Sequence, residues 1–347
     1  MFAALGMVSR LILLEDIILA HDISSIWLCA YLTQIELLPN QTLSLGDLVG
    51  LAFRLMRSHW REVIRAMLVP SILCSLGSNL SYYSFEGWVK IAAESKLAVG
   101  PFAMHMSLCF CGIALWLYAA WRLFFCSRVL ARRVYFGYSD STQAASELKP
   151  KRWTLFGVYN LTIVPISVVL LFWLLLALAC IGLVPKQEPA KFWVGGVIYA
   201  IMGFWFTVSI AMTSLYAALV ESACVIDLHN VGAALARGWY LFGLRPLRGG
   251  SYECLKWFTL ILLGFAIETP AIVASTIAEI VDKSHTPPAL IAFNAIFDVI
   301  LNMVYASFAA VANMLFYRDL KLRLEGVDLV KRLESIQAVQ SASKVQD

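Results

Sequence analysis

LFGVYNLTIVPISVVLLFWLLLALACIGLV, residues Leu155 to Val184, holds no Asp, Glu, Lys, Arg or His. About 20 apolar residues carry a helix across a bilayer, so this stretch is a spanning helix with length to spare. The excess implies tilt, a kink or extension beyond the hydrocarbon, and Pro165 marks a kink position. Immediately before it stands Lys149-Pro150-Lys151-Arg152-Trp153, a basic and aromatic flank typical of a membrane-water boundary.

Five further stretches read the same way: Val63–Phe85, Phe102–Phe125, Phe192–Val220, Phe258–Val281 and Ala289–Tyr317. Gly77, Ser78, Asn79 and Ser81 dilute the first of them, which makes it the weakest span, and Pro270 marks a kink position in Phe258–Val281. The whole chain of 347 residues is 60% hydrophobic and only 14% charged, where soluble domains carry about 25% charged residues. The spans pair into three hairpins, which predicts an all-α integral membrane protein. Residues 1–43 form an amino-terminal extension, 44–317 the membrane domain and 318–347 a tail.

The extension does not read as a seventh span. Glu15, Asp16, His21 and Asp22 interrupt its apolar run, and each costs a few kcal/mol near a bilayer centre. It also lacks a basic leader region, so an interfacial or weakly ordered segment is expected.

Charge orients the hairpins. Arg128, Arg132, Arg133, Lys149, Lys151 and Arg152 lie between the second and third spans, and Arg237, Arg245, Arg248 and Lys256 between the fourth and fifth. Arg54, Arg57 and Arg61 precede the first span, and Arg318, Lys321 and Arg323 follow the last. The alternate loops are nearly balanced, so both termini and both long loops are expected in the cytoplasm. The net charge of +4 is concentrated at these flanks, which argues against a nucleic-acid partner.

A short amphipathic segment precedes each hairpin. In Ser44–Arg65 the residues Leu45, Leu48, Val49, Ala52, Leu55, Met56, Trp60 and Val63 share one helical face, with Arg54, Arg57, Arg61 and Arg65 opposite. Ser44 and Asp47 form a capping box at its start. Asp140–Trp153 and Asn230–Arg245 are weaker versions, the latter with Val231, Ala234, Leu235, Leu241 and Phe242 as its stripe. The architecture expected is therefore three repeats of interfacial amphipathic helix plus transmembrane hairpin. These short helices read either as elbows between hairpins or as surfaces for anionic lipid and partners.

Ionisable residues inside spans are functional candidates by default. Glu268 lies mid-span beside Thr269 and Pro270, and Asp298 stands between Asn294 and Asn302 at four-residue spacing. A polar pathway lined by Glu268, Asn294, Asp298 and Asn302 is one reading; hydrogen-bonded or protonated side chains that join helices is the other. No basic residue within a span is expected to neutralise the two acids. Glu221 is expected to reach a loop arginine, and His105 to sit at headgroup level. The eight cysteines form no Cys-x-x-Cys pair and read as buried apolar thiols. No phosphate-binding glycine loop, His-Glu-x-x-His or Gly-x-Ser-x-Gly occurs, so neither catalytic residues, nor a metal, nor a cofactor are expected.

Two motifs resemble a known group. Leu45-Gly46-Asp47-Leu48, Ala52-Phe53-Arg54-Leu55 and Trp60 are similar to the opening of bacterial proteins labelled "glycerophosphoryl diester phosphodiesterase membrane domain". The run after the last span, with Tyr317, Asp319, Lys321, Arg323, Glu325, Gly326 and Asp328, resembles that group's ending. Val231–Trp239 is similar to its middle repeat, and the likeness covers roughly residues 44–335. It implies an architecture in the bacterial cytoplasmic membrane rather than a reaction. The group's label comes from members fused to a phosphodiesterase barrel, and no soluble stretch here reaches the ~250 residues a barrel needs. Read physically, Asp319 with Arg323 and Lys321 with Glu325 are four-residue helix pairs. Gly326 then permits a turn, and Asp328 caps a further short helix. The tail is expected to clasp the cytoplasmic loops or to dock a partner.

The function expected from this is non-enzymatic: a scaffold, assembly or lipid-interacting factor whose partners are membrane lipids, other membrane proteins or a second copy. The alternative is a small transporter or channel that uses Glu268 and Asp298.

Overall fold

The structure, a computed structural model, describes residues 42–93, 99–138, 140–181, 190–281 and 288–343. Met1–Pro39 and Asn40–Asp347 are separate units, and every element below belongs to the second. Most of the expected extension and the three charge-balanced loops fall outside the described residues.

All regular structure among the described residues is helical. Helix α1 (Leu45–Ser58) leads into α2 (Trp60–Ala93), which pairs with α3 (Val99–Phe136). Helix α4 (Ser141–Leu148) and a 3-10 turn (Lys149–Lys151) lead into α5 (Arg152–Ile181), which pairs with α6 (Ala190–Ile226). Helix α7 (Val231–Leu244) leads into α8 (Pro246–Val281), which pairs with α9 (Pro288–Ser343). A short helix thus precedes each long pair, and the six long helices are long and apolar enough to cross a membrane. Pro165 and Pro270 lie inside α5 and α8 without ending them.

The long helices outrun the apolar stretches because an α-helix satisfies its own backbone and continues through charged residues once it leaves the hydrocarbon. Helix α9 is the extreme case at 56 residues, about 84 Å at 1.5 Å per residue. It passes through Gly326, so the turn expected there and the new helix capped by Asp328 do not form. One glycine costs a helix only about 1 kcal/mol, too little to stop it. The side chains of Glu325, Gly326 and Asp328 lie outside the described residues.

Ser44 caps α1 as its sequence predicts: the Asp47 N–H donates to Ser44 Oγ at 3.2 Å, and Ser44 Oγ donates to Asp47 Oδ2 at 2.5 Å. The amphipathic stretch is not one helix to Arg65, however. His59 leaves helical geometry at φ −102°, ψ 20°. The Glu62 and Val63 N–H groups then bond to its carbonyl to start α2. Arg54 and Arg57 therefore belong to α1, and Arg61 and Arg65 to α2.

The apolar face of α1 is covered by protein rather than offered to lipid. Leu48, Leu51, Ala52 and Met56 are buried, the Phe53 ring lies 4.6 Å from that of Phe308 on α9, and Ser307 Oγ is 3.4 Å from the Met56 sulfur. Helix α9 is the hub, packed on α1, α2, α3, α6 and α8.

The small polar residues that weakened the first span in sequence are what let it pack. A Cβ on Gly77 would lie 2.6 Å from the Trp116 nitrogen, and one on Gly112 would lie 2.7 Å from the Ser81 nitrogen, so α2 and α3 meet backbone to backbone. Hydroxyls inside the long helices return to carbonyls one turn back, as Ser81 does to Gly77 at 2.8 Å and Thr213 to Ser209 at 2.8 Å, which removes their desolvation cost. The most apolar window of α2 is 44% buried by the rest of the chain and that of α5 only 6%, so α5 presents nearly all of its apolar surface outward. Among the cysteines, Cys74 and Cys224 are buried but Cys111 and Cys254 are exposed. Uniformly buried thiols were expected; outward faces of apolar helices admit a thiol equally well.

Candidate functional site

Charge concentrates where the basic residues flank the long helices, and most of it is internally compensated. Arg133 pairs with Glu62 at 2.6 Å, joining α3 to α2. Arg132 pairs with Glu147 of α4 at 2.6 Å and also donates to the Val225 and Ile226 carbonyls at the end of α6. Tyr138 donates to the same Glu147 carboxylate at 3.0 Å. Arg128 pairs with Glu221 across α3 and α6, the loop-arginine partner that the sequence predicts for Glu221.

Deeper in, Lys256 donates to Glu253 at 2.6 Å and to Asn313 Oδ1 at 3.0 Å, and Tyr252 donates to the same oxygen at 3.1 Å. Glu253 is wholly buried and Lys256 only 3% exposed. Glu253 Oε2 has no hydrogen-bond partner among the described residues. The Tyr252 ring stacks on Phe316 at 4.0 Å. A cavity of about 10 Å³ separates the Arg128–Glu221 pair from Asn313, with Ser222 also in its wall; this is room for one water at most. The sequence put Lys256 in a loop because the apolar run begins after it. The helix begins at Pro246, so a basic residue does lie inside a spanning helix, as Arg122 does in α3. The signal for Lys256 was its spacing from Glu253, three residues on one helix face.

The first part of the tail motif, Tyr317 to Arg323, bonds to distant parts of the chain. Asp319, 3% exposed, accepts from Arg248 at 2.8 Å, from Arg323 at 2.9 Å and from the Leu43 N–H at 2.9 Å. Arg248 and Arg323 also donate to the Leu43 carbonyl, at 2.7 and 3.0 Å. The residue before the α1 cap is thus held on both its backbone groups by α8 and α9. One turn away, Tyr317 and Lys321 bind Asp227 at 2.5 and 2.9 Å, with His229 at 3.9 Å. Burial opposes ionisation of Asp227, but the hydrogen bonds from Tyr317 and Lys321 outweigh it and hold the carboxyl below its ordinary range. These bonds close the α6–α7 turn, where Leu228 adopts φ 53°. Lys321 takes this partner across the fold.

Against this compensated tier, Arg54, Arg57, Arg61 and Arg65 are all exposed and make no ion pair among the described residues.

The mid-span polar residues do not converge on one another. Asp298 lies against Ser75 and Asn79 of α2. Asn294 donates to Ser275 of α8 at 3.1 Å, and its Oδ1 is buried without a partner among the described residues. Glu268 lies near Tyr305, whose hydroxyl donates to the Leu260 carbonyl. Glu268 and Asn302 are both half-buried. Among the described residues no hydrogen bond joins Glu268 to Asp298, and no group of three or more His, Cys, Asp or Glu side chains is placed to hold a metal. Comparison of the chain with family models, with curated proteins and with solved structures finds no match.

Proposed function

We propose that this chain is a non-enzymatic polytopic protein of the bacterial cytoplasmic membrane whose basic end engages anionic headgroups and so serves as a scaffold, assembly or lipid-interacting factor. One contrast carries the reading. The acids of that end are bound within the chain, whereas Arg54, Arg57, Arg61 and Arg65 stand exposed without an ion pair among the described residues. An arginine near an anionic leaflet contributes about 1 kcal/mol, so four make a preference that survives physiological salt. The positive-inside bias supports a cytoplasmic placement of this end and of both termini, and the resemblance of the tail motif agrees with a bacterial membrane domain.

The test is purification from native membrane in mild detergent, with mass spectrometry of the lipids and proteins retained. The expected result is enrichment of anionic over zwitterionic lipid, reduced several-fold when all four arginines are replaced by Gln. Identical lipid profiles for the two forms would overturn the headgroup reading. A protein that co-purifies at fixed stoichiometry would support the scaffold role.

A further inference from the structure

We propose that Asp298, with Ser75 and Asn79 of α2, binds one monovalent cation, a proton or an alkali ion, inside the bundle. This site is separate from the basic end and does not depend on the function proposed for it.

Asp298 belongs to the spanning part of α9, eight residues from Leu290, or about 12 Å along the helix at 1.5 Å per residue. Helix α2 packs on this part of the hub and presents a polar row at four-residue spacing, Ser71, Ser75 and Asn79. Asp298 lies against the last two. Ser75 is 3% exposed and Ser71 is wholly buried, with a hydroxyl that lacks a hydrogen-bond partner among the described residues. Asn79 Nδ2 donates to the Ser75 carbonyl at 2.9 Å and to Ser75 Oγ at 3.3 Å. The Ser75 and Asn79 side chains also hydrogen-bond to the Asp298 carboxylate, so the seam between α2 and α9 joins that carboxylate to two neutral groups.

The titratable neighbours of Asp298 on α2 are Cys74 and Tyr83, with Glu86 beyond Tyr83; the acids in the second half of α8 are Glu268 and Glu279. None of these is a cation at neutral pH, and no basic side chain lies against Asp298 among the described residues. Neutral hydrogen bonds do not cancel its charge, and a carboxylate without a countercharge in this setting costs several kcal/mol. Carboxylate and hydroxyl oxygens are the hard donors that suit a proton or an alkali ion. The seam therefore takes up one positive charge from solution.

The apparent Tm of the full chain in detergent tests this, read across LiCl, NaCl and KCl with choline chloride holding ionic strength constant, and across pH at fixed salt. An alkali ion gives a saturable rise in Tm that Asp298→Asn abolishes. A proton gives no alkali dependence but an acid-side stabilisation that Asp298→Asn removes. Ser75→Ala keeps the carboxylate and weakens the response about tenfold in cation concentration, the effect of one hydrogen bond to a charged group. If Asp298→Asn does not fold, Ser75→Ala and the infrared carboxyl band of the wild type with 13C-labelled aspartate carry the test. The proposal is overturned if the variants keep the wild-type dependence on both salt and pH, or if no carboxyl band responds to either.

Discussion

Two populations of carboxylates occupy this molecule under opposite conditions. At the basic end, Glu221, Glu253, Asp227 and Asp319 each lie within ion-pair distance of a lysine or arginine from the same chain. In mid-span, Asp298 has only neutral groups of α2 against it, and Glu268 lies near a tyrosine. The basic end fixes helix ends to one another by charge, because headgroups and water lower the cost of bringing ions there. In mid-span, where hydrocarbon surrounds the helices, a carboxylate without a cation beside it is costly. The first set therefore belongs to architecture, and the second is where a change in occupancy is felt.

The sharpest way to break this contrast is at Lys256. Its replacement by Met leaves Glu253 wholly buried with neither oxygen facing a cation. A buried pair that loses one partner is destabilised by about 3–5 kcal/mol, read as a large fall in apparent Tm in detergent. Adding Glu253→Gln to that variant recovers a good part of the loss, since no uncompensated charge remains. If the double variant is no better than the single one, the tier is held by packing around Tyr252 and Phe316 rather than by charge.

A smaller effect sharpens the comparison at Asp227. Its carboxyl is held below the ordinary range, so it binds fewer protons folded than unfolded. The stability it supplies is complete above the ordinary aspartate value of about 3.9 and is lost as pH falls through the lower folded value. Asp227→Asn is expected to lower Tm at neutral pH by the equivalent of about 1 kcal/mol and to flatten the decline below about pH 4. A decline of unchanged steepness would remove Asp227 from the acid sensitivity of the basic end.

Much of the fold was legible because hydrophobicity and charge are written locally. The six long apolar helices and the cap at Ser44 each follow from neighbours in sequence, and the expected arginine partner of Glu221 is Arg128, which lies in α3 rather than in a loop. The tail was legible as a motif, but not in the partners of its first part. Asp319 reaches back to Leu43, 276 residues away, and no local pattern encodes that closure. The Lys256–Glu253 pair was hidden because apolarity marks where a helix enters hydrocarbon, not where it begins. For the mid-span site, sequence identified Asp298 and its face of α9 but opposed it to Glu268 on the adjacent strand of the hairpin. Serines and an asparagine on α2, which had only weakened that helix as a span, turned out to be its neighbours.

The smallest expected effect is the one that holds the comparison together. Glu268 is half-buried and makes no hydrogen bond or ion pair among the described residues, so Glu268→Gln removes no contact. Gln reproduces the shape of a protonated Glu and needs no counterion. Stability is therefore expected to change by under about 0.5 kcal/mol, as for a substitution away from any network, and the cation and pH responses assigned to Asp298 should be retained. A loss of either response in Glu268→Gln would join the two acids into one pathway across α8 and α9 and return function to the hairpin itself. Retention of both leaves α2 and α9 as the pair that senses charge, with Glu268 a bystander on α8.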